Sequence, residues 1–245
     1  MIHTDLIGYS PDAVRSQLGD DFSHDLADLV PDCLGIDVVV VDLVGGGYSI
    51  VVANRPVIIT KLTSNWFFQN YSIAHELGHL TSNSVCDQTQ SDNAERTANL
   101  FAAELLMPES AIQSIDWESI SLADLADRVW HWGTSTQALR TRLKALKLPQ
   151  RSDVLEVLDG KTQSLLRRHW SKPPGPDLIT QRMKRASERR FPTGLLSELE
   201  KAVVQGRAPV ASLAFALGID EDDLELDLSA DTLTPDDTRL LEGLS

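Results

Sequence analysis

Two histidines stand four residues apart at 75 and 79, with a glutamate at 76, in the stretch AHELGH at 74–79. On a helix, four residues amount to about 40° around the axis, so both imidazoles face one point. Two neutral imidazoles suit Zn²⁺. Glu76 falls about 100° from His75, flanking that face, where it can reach a water at the metal without taking a ligand position. The chemistry served is metal-assisted amide hydrolysis: the metal acidifies the water and polarises the carbonyl, and the glutamate takes the proton and returns it to the leaving amine. Gly78 costs about 1 kcal/mol relative to alanine in mid-helix. Its presence points to close approach of another element.

A hydrolytic zinc site needs a third protein ligand, with one position left open. Neither downstream histidine, His131 or His169, stands in a motif context for that role. The carboxylates that follow are Asp87, Asp92, Glu95 and Glu104. The first two fall in a polar stretch where rigid placement is not expected. Glu95 and Glu104 share one helix but lie about 180° apart around it, so only one can face the metal helix. The face around Glu95 carries Ala98, Asn99 and Ala102. Small side chains let two helices pack closely, and Asn99, one turn on, can orient a ligand by hydrogen bonding. Glu95 is therefore the expected third ligand, with Glu104 exposed or locally paired. Tyr48, Tyr71 and His131 are candidate oxyanion donors, and no motif chooses among them. The strand Val57, Ile58, Ile59, Thr60, Lys61 is a candidate edge for an extended peptide to pair with. Cys86 is a candidate redox-sensitive or metal-capping thiol, or simply a loop cysteine.

The elements that must position these residues are legible as patterns. Residues 10 to 30 read as one helix, with Leu18, Phe22, Leu26, Leu29 and Val30 at helical spacing and Pro31 closing the run. IDVVVVDLV, YSIVVAN and VIITKL read as a three-strand meander. The GGG at 45–47 is a turn; no lysine or helix start follows to make it a phosphate loop. SNWFFQNYSIAHELGHLTS is apolar nearly all round, the mark of a buried helix. ERTANLFAAELLM is a second strong helix, ended by Pro108. SLADLADRVWHWGTSTQALRTRLKAL reads as two helices around Gly133, with Ser135 as N-cap, a helix-turn-helix shape. SKPPGP at 171–176 reads as a linker, and TGLLSELEKAVVQG and PVASLAFALG as two further helices. The expected fold is α+β: a small antiparallel or mixed three-stranded sheet packed on a zincin-type helix pair, then helical segments. The expected division is a peptidase core over 1–150, a connector over 151–176 and a small helical region with an acidic tail over 177–245.

AHELGH, the aromatic Tyr71 ahead of it, the strands before it and E-x-x-A-N-x-F-A-A-x-L-L-M-P from Glu95 to Pro108 together resemble the ImmA/IrrE family of zinc metallopeptidases. Ser135, Ala138, Leu139, Arg142 and Leu143 also match that family's later helical segment, so the resemblance covers residues 30 to 148. The resemblance implies His75, His79 and Glu95 as zinc ligands and Glu76 as general base, with Mn²⁺ a candidate substitute. It also implies cleavage of a helix-turn-helix repressor, releasing stress-response or mobile-element genes. WFFQNY departs from the arginine and phenylalanine many members carry before the motif.

The whole chain bounds these readings. It has 245 residues, 42% hydrophobic, enough to bury a core. Two cysteines make no disulfide framework, the start MIHTDLIGYSPD does not read as a signal peptide, and no apolar run is long enough to span a membrane. A cytoplasmic location is expected. The net charge of −14 argues against nucleic-acid binding by the surface as a whole. The charge is uneven: residues 128–152 carry six cations and no acid, and residues 218–245 carry ten acids against Arg239. A DNA-binding or protein-interaction module is the rival reading, with Arg140, Arg142, Lys144 and Lys147 on or near the second helix of the pair. The acidic segment suits docking of a basic partner, and the cluster Arg182, Lys184, Arg185, Arg189 and Arg190 is a candidate intramolecular counterpart.

Overall fold

A computed structural model describes residues 7–52, 55–82 and 92–224. Cys86, Asp87, Asn54 and most of the acidic tail lie outside the described residues. The chain divides into two compact units, Met1–Pro192 and Thr193–Ser245.

The first unit opens with helices α1 (Pro11–Leu18) and α2 (Leu26–Leu34). The expected single helix over 10–30 is broken because Gly19 caps α1 at φ 79° and Asp21 takes a left-handed φ of 57°. Pro31 does not close the second piece, which runs on to Leu34 and ends at left-handed Gly35.

Strands β1 (Asp37–Val41), β2 (Gly47–Val52) and β3 (Arg55–Lys61) follow, in the spatial order β1-β3-β2. The expected meander is corrected: β3 pairs parallel to β1 and antiparallel to β2. Pairing with β1 begins at Val57, so Pro56 sits one residue short of it. Val38, Val40 and Ile58 are buried, as a covered sheet face requires.

Helix α3 (Trp66–Thr81) is the central strut and is buried on most of its surface. Its buried amides are satisfied by the backbone of other elements. Gln69 donates to the carbonyls of Lys61 and Ala186, and Asn70 to those of Ser23 and Gly133. Helix α4 (Asp92–Leu106) packs along it with Ala98 and Ala102 fully buried. At their closest approach a Cβ on Gly78 would lie 2.8 Å from Ala98 Cα. Only glycine allows that spacing.

Then come α5 (Glu109–Gln113), α6 (Leu122–Trp132), α7 (Thr136–Ala145), α8 (Ser152–Asp159), α9 (Thr162–His169) and α10 (Leu178–Ala186). The α6–α7 pair turns at left-handed Gly133, and Ser135 caps α7 by accepting from the Ala138 amide. Val154, Leu158, Leu165, Leu166 and Ile179 join the same core, so the SKPPGP loop lies inside the first unit. The basic residues beyond it bind acids near the N-terminus. Arg185 pairs with Asp25 and Asp28, and Arg190 with Asp28. Arg190 also bridges the outer edge of β1 at Val40. The second unit contains α11 (Thr193–Val204) and α12 (Val210–Leu217), which bury Val203, Leu213, Ala214 and Ala216. Among the described residues no helix is long and apolar enough to cross a membrane.

Candidate metal centre

Helices α3 and α4 bring His75, His79 and Glu95 to one point. His75 Nε2 lies 3.1 Å from His79 Nε2 and 3.3 Å from Glu95 Oε2, and His79 Nε2 lies 3.2 Å from Glu95 Oε1. Zinc–nitrogen and zinc–oxygen bonds of about 2.0–2.2 Å put tetrahedral ligands about 3.3 Å apart, so these separations fit a three-ligand metal site. Glu95 Oε1 is shielded from solvent and makes no hydrogen bond. A carboxylate with each oxygen facing an imidazole nitrogen, one of those oxygens shielded from solvent, is an arrangement a cation satisfies. The donor set therefore fits a divalent metal of the zinc class.

The supporting contacts fix which nitrogen faces inward. His75 Nδ1 lies 3.2 Å from Asn99 Oδ1, which can only accept, so Nδ1 carries the proton and Nε2 offers its lone pair to the centre. Tyr71 donates to the same Asn99 Oδ1 at 3.3 Å. Burial pushes the Tyr71 phenol above its ordinary value, opposed in part by the Arg142 charge. Glu76 is buried, and its Oε2 accepts a 2.9 Å hydrogen bond from Ser49 Oγ on β2. The sheet thus reaches the candidate base through one side chain. Ser49 carried no motif; its only signal was a polar residue on the covered phase of an alternating strand, between exposed Tyr48 and Ile50.

Glu104 turns away from the centre to pair with Arg142 of α7. Tyr48 is 49% exposed and, one residue from Ser49, points to the opposite face of the sheet. His131 pairs with Asp21 at 3.0 Å and lines a different hollow with Arg15 and Phe22. Of the three oxyanion candidates, only Tyr71 sits at the ligand cluster. Val57–Lys61 cannot be the substrate edge, because β3 is the central strand and both its sides are occupied. Among the described residues the outer edge of β2 has no backbone partner. A cavity of about 700 Å³ opens beside the centre, lined by Glu95, Asn99 and Tyr71 and by apolar residues of α3, α4 and α7.

Residues 32–144 match the family model described as Peptidase_M78, IrrE N-terminal-like domain. Over this segment the chain is similar to the ImmA/IrrE family, and the match supports a metallopeptidase-type function. No curated protein and no solved structure matches the chain.

Proposed function

We propose that the protein is a zinc-dependent endopeptidase of the cytoplasm that cleaves one specific helix-turn-helix repressor, releasing stress-response or mobile-element genes. The observation that carries the reading is the convergence of His75, His79 and Glu95 at tetrahedral-edge spacing beside the buried Glu76. Zinc held by those three residues supplies a Lewis acid that acidifies water and polarises the scissile carbonyl, a role Mn²⁺ can also fill. Glu76 takes the proton from water and delivers it to the departing amide nitrogen. The Ser49 hydroxyl holds Glu76 Oε2, orienting the carboxylate for that transfer. Asn99 keeps His75 in the tautomer that ligates. The outer edge of β2, which carries Ser49, pairs with the extended substrate backbone.

The repressor as substrate rests on the family resemblance, and the acidic run beginning at Asp220 suits docking of a basic DNA-binding protein. Direct DNA binding by α6–α7 is disfavoured. Arg140 is paired with Asp159 and Arg142 with Glu104, leaving fewer cations for phosphate.

The test is incubation with the repressor encoded beside it, with added Zn²⁺ or Mn²⁺, using Glu76→Gln as control. Defined fragments from the wild type, with loss of at least about a hundredfold in rate for the variant, support the reading. Intact repressor in both, with metal bound, rejects this substrate. Absence of bound metal at any concentration rejects the enzyme and leaves an interaction module.

A further inference from the structure

Where α10 meets the turn Phe22–His24, an arginine is packed into an aromatic stack. The Arg182 guanidinium carbon lies 3.8 Å from the centre of the Trp130 ring, and that ring stacks on Trp170 at 3.8 Å. The contact suits a cation on an apolar stem. It leaves the guanidinium half satisfied. Nη1 donates to the Trp130 carbonyl at 3.3 Å. Among the described residues, Arg182 Nη2 is shielded from solvent and makes no hydrogen bond, and the same is true of His24 Nε2. The His24 ring also packs against Trp130, their centres 5.7 Å apart. A charged donor left unmet in a protein interior is costly, so these two groups call for a partner.

Both residues line one small cavity of about 20 Å³. That is room for a single particle near the size of a water molecule. The charge around it favours an anion. Arg182, Arg185 and Arg190 all line the cavity, and so does Asp25. Arg185 pairs with Asp25 and Asp28, and Arg190 with Asp28, so two carboxylates answer two of the three arginines. No carboxylate pairs with Arg182 among the described residues; Asp21, the acid whose charge reaches it, pairs with His131 at 3.0 Å. Burial pushes the Arg182 guanidinium down to about 9, which still leaves it charged at neutral pH.

We propose that this cavity is a binding site for one small monovalent anion of the halide class, held by Arg182 Nη2 and by His24 with its proton on Nε2. Such an ion ties α10 to the turn Phe22–His24. It also bears on α3, the helix that carries His75 and His79. Gln69 and Asn70 of that helix line the same cavity and hold the Ala186 and Ser23 carbonyls on either side of it. Polyatomic anions are too large for the room available.

The first test is a crystal of the full chain soaked in sodium bromide. Anomalous scattering should place one bromide in this cavity, within hydrogen-bonding reach of Arg182 Nη2. The second is thermal unfolding of the full chain in chloride against gluconate, an anion too large to enter, at equal ionic strength. For a site with a dissociation constant of about 10 mM, about 0.3 M chloride should raise the midpoint by about 4–8 °C relative to gluconate. Arg182→Met keeps an apolar stem on Trp130 and removes the charge. His24→Phe keeps the ring and removes the nitrogens. Both should lose the chloride effect; should either fail to fold, the bromide position in the wild type decides. Water alone in the cavity, bromide only elsewhere, equal midpoints in the two salts, or a chloride effect kept by the folded variants would overturn the proposal.

Discussion

At the scale of single residues the site is a set of lone pairs and protons whose directions are fixed by neighbours. Asn99 Oδ1 receives both the His75 Nδ1 proton and the Tyr71 hydroxyl, so one acceptor sets the imidazole's tautomer and its plane. Asn99→Ala should weaken zinc affinity about ten- to a hundredfold, read by competition with a chelator, with little change in thermal stability of the metal-free protein. Unchanged affinity would mean the hydrogen bond is incidental. Helical periodicity puts His75, Glu76 and His79 on one side of their helix, and the small side chains around Glu95 choose it over Glu104. The same logic could not find Ser49, which reaches Glu76 from a strand whose place in the sheet no local pattern encodes.

At the scale of elements, two close contacts hold the site's frame. Gly78 lets α3 and α4 approach until a Cβ would meet Ala98 Cα at 2.8 Å and Phe101 Cβ at 3.0 Å. Gly78→Ala should therefore lower stability by about 1–3 kcal/mol in denaturant titration, although alanine is the better helix former. A stabilised variant would contradict the packing account. Helix α10 is held at its start by Asp177, whose side chain accepts from Thr180 and pairs with Arg167; these contacts depress its carboxyl to about 2. The folded value lies below the unfolded one of about 4, so its contribution is complete above pH about 4 and is lost as pH falls towards 2. The stability difference between wild type and Asp177→Asn should accordingly shrink between those values, and a constant difference would refute the assignment.

Helices that carried strong periodicity and caps, α3, α4, α6 and α7, were readable from sequence with their turn at Gly133 and cap at Ser135. The sheet was readable as three strands but not as an order. A β-branched run specifies extended backbone and says nothing about which neighbour it joins, so β3 slipping between β1 and β2 left no trace. Nor did the left-handed Asp21 that breaks the first helix.

At the scale of the whole molecule, charge is the property that sequence displays and structure partitions. The basic residues of 182–190 are partly spent within the first unit, on Asp25 and Asp28. The acids at 220–223 belong to the second unit, and those beyond 224 lie outside the described residues. Removing 218–245 should slow cleavage of the intact repressor about tenfold at low salt while sparing a short peptide that spans the cut. Equal rates on the intact repressor would dispose of docking by this segment.

Whether His75, His79 and Glu95 hold one metal ion together decides the peptidase reading. The most direct measurement is X-ray absorption at the zinc edge of the loaded wild type, with Glu95→Ala and His79→Ala alongside. The expected result is one zinc per chain, two imidazole nitrogens and light oxygen donors at about 2.0–2.2 Å, and loss of stoichiometric binding in both variants. Zinc bound equally well without Glu95 and His79, or a shell lacking imidazole, would contradict it.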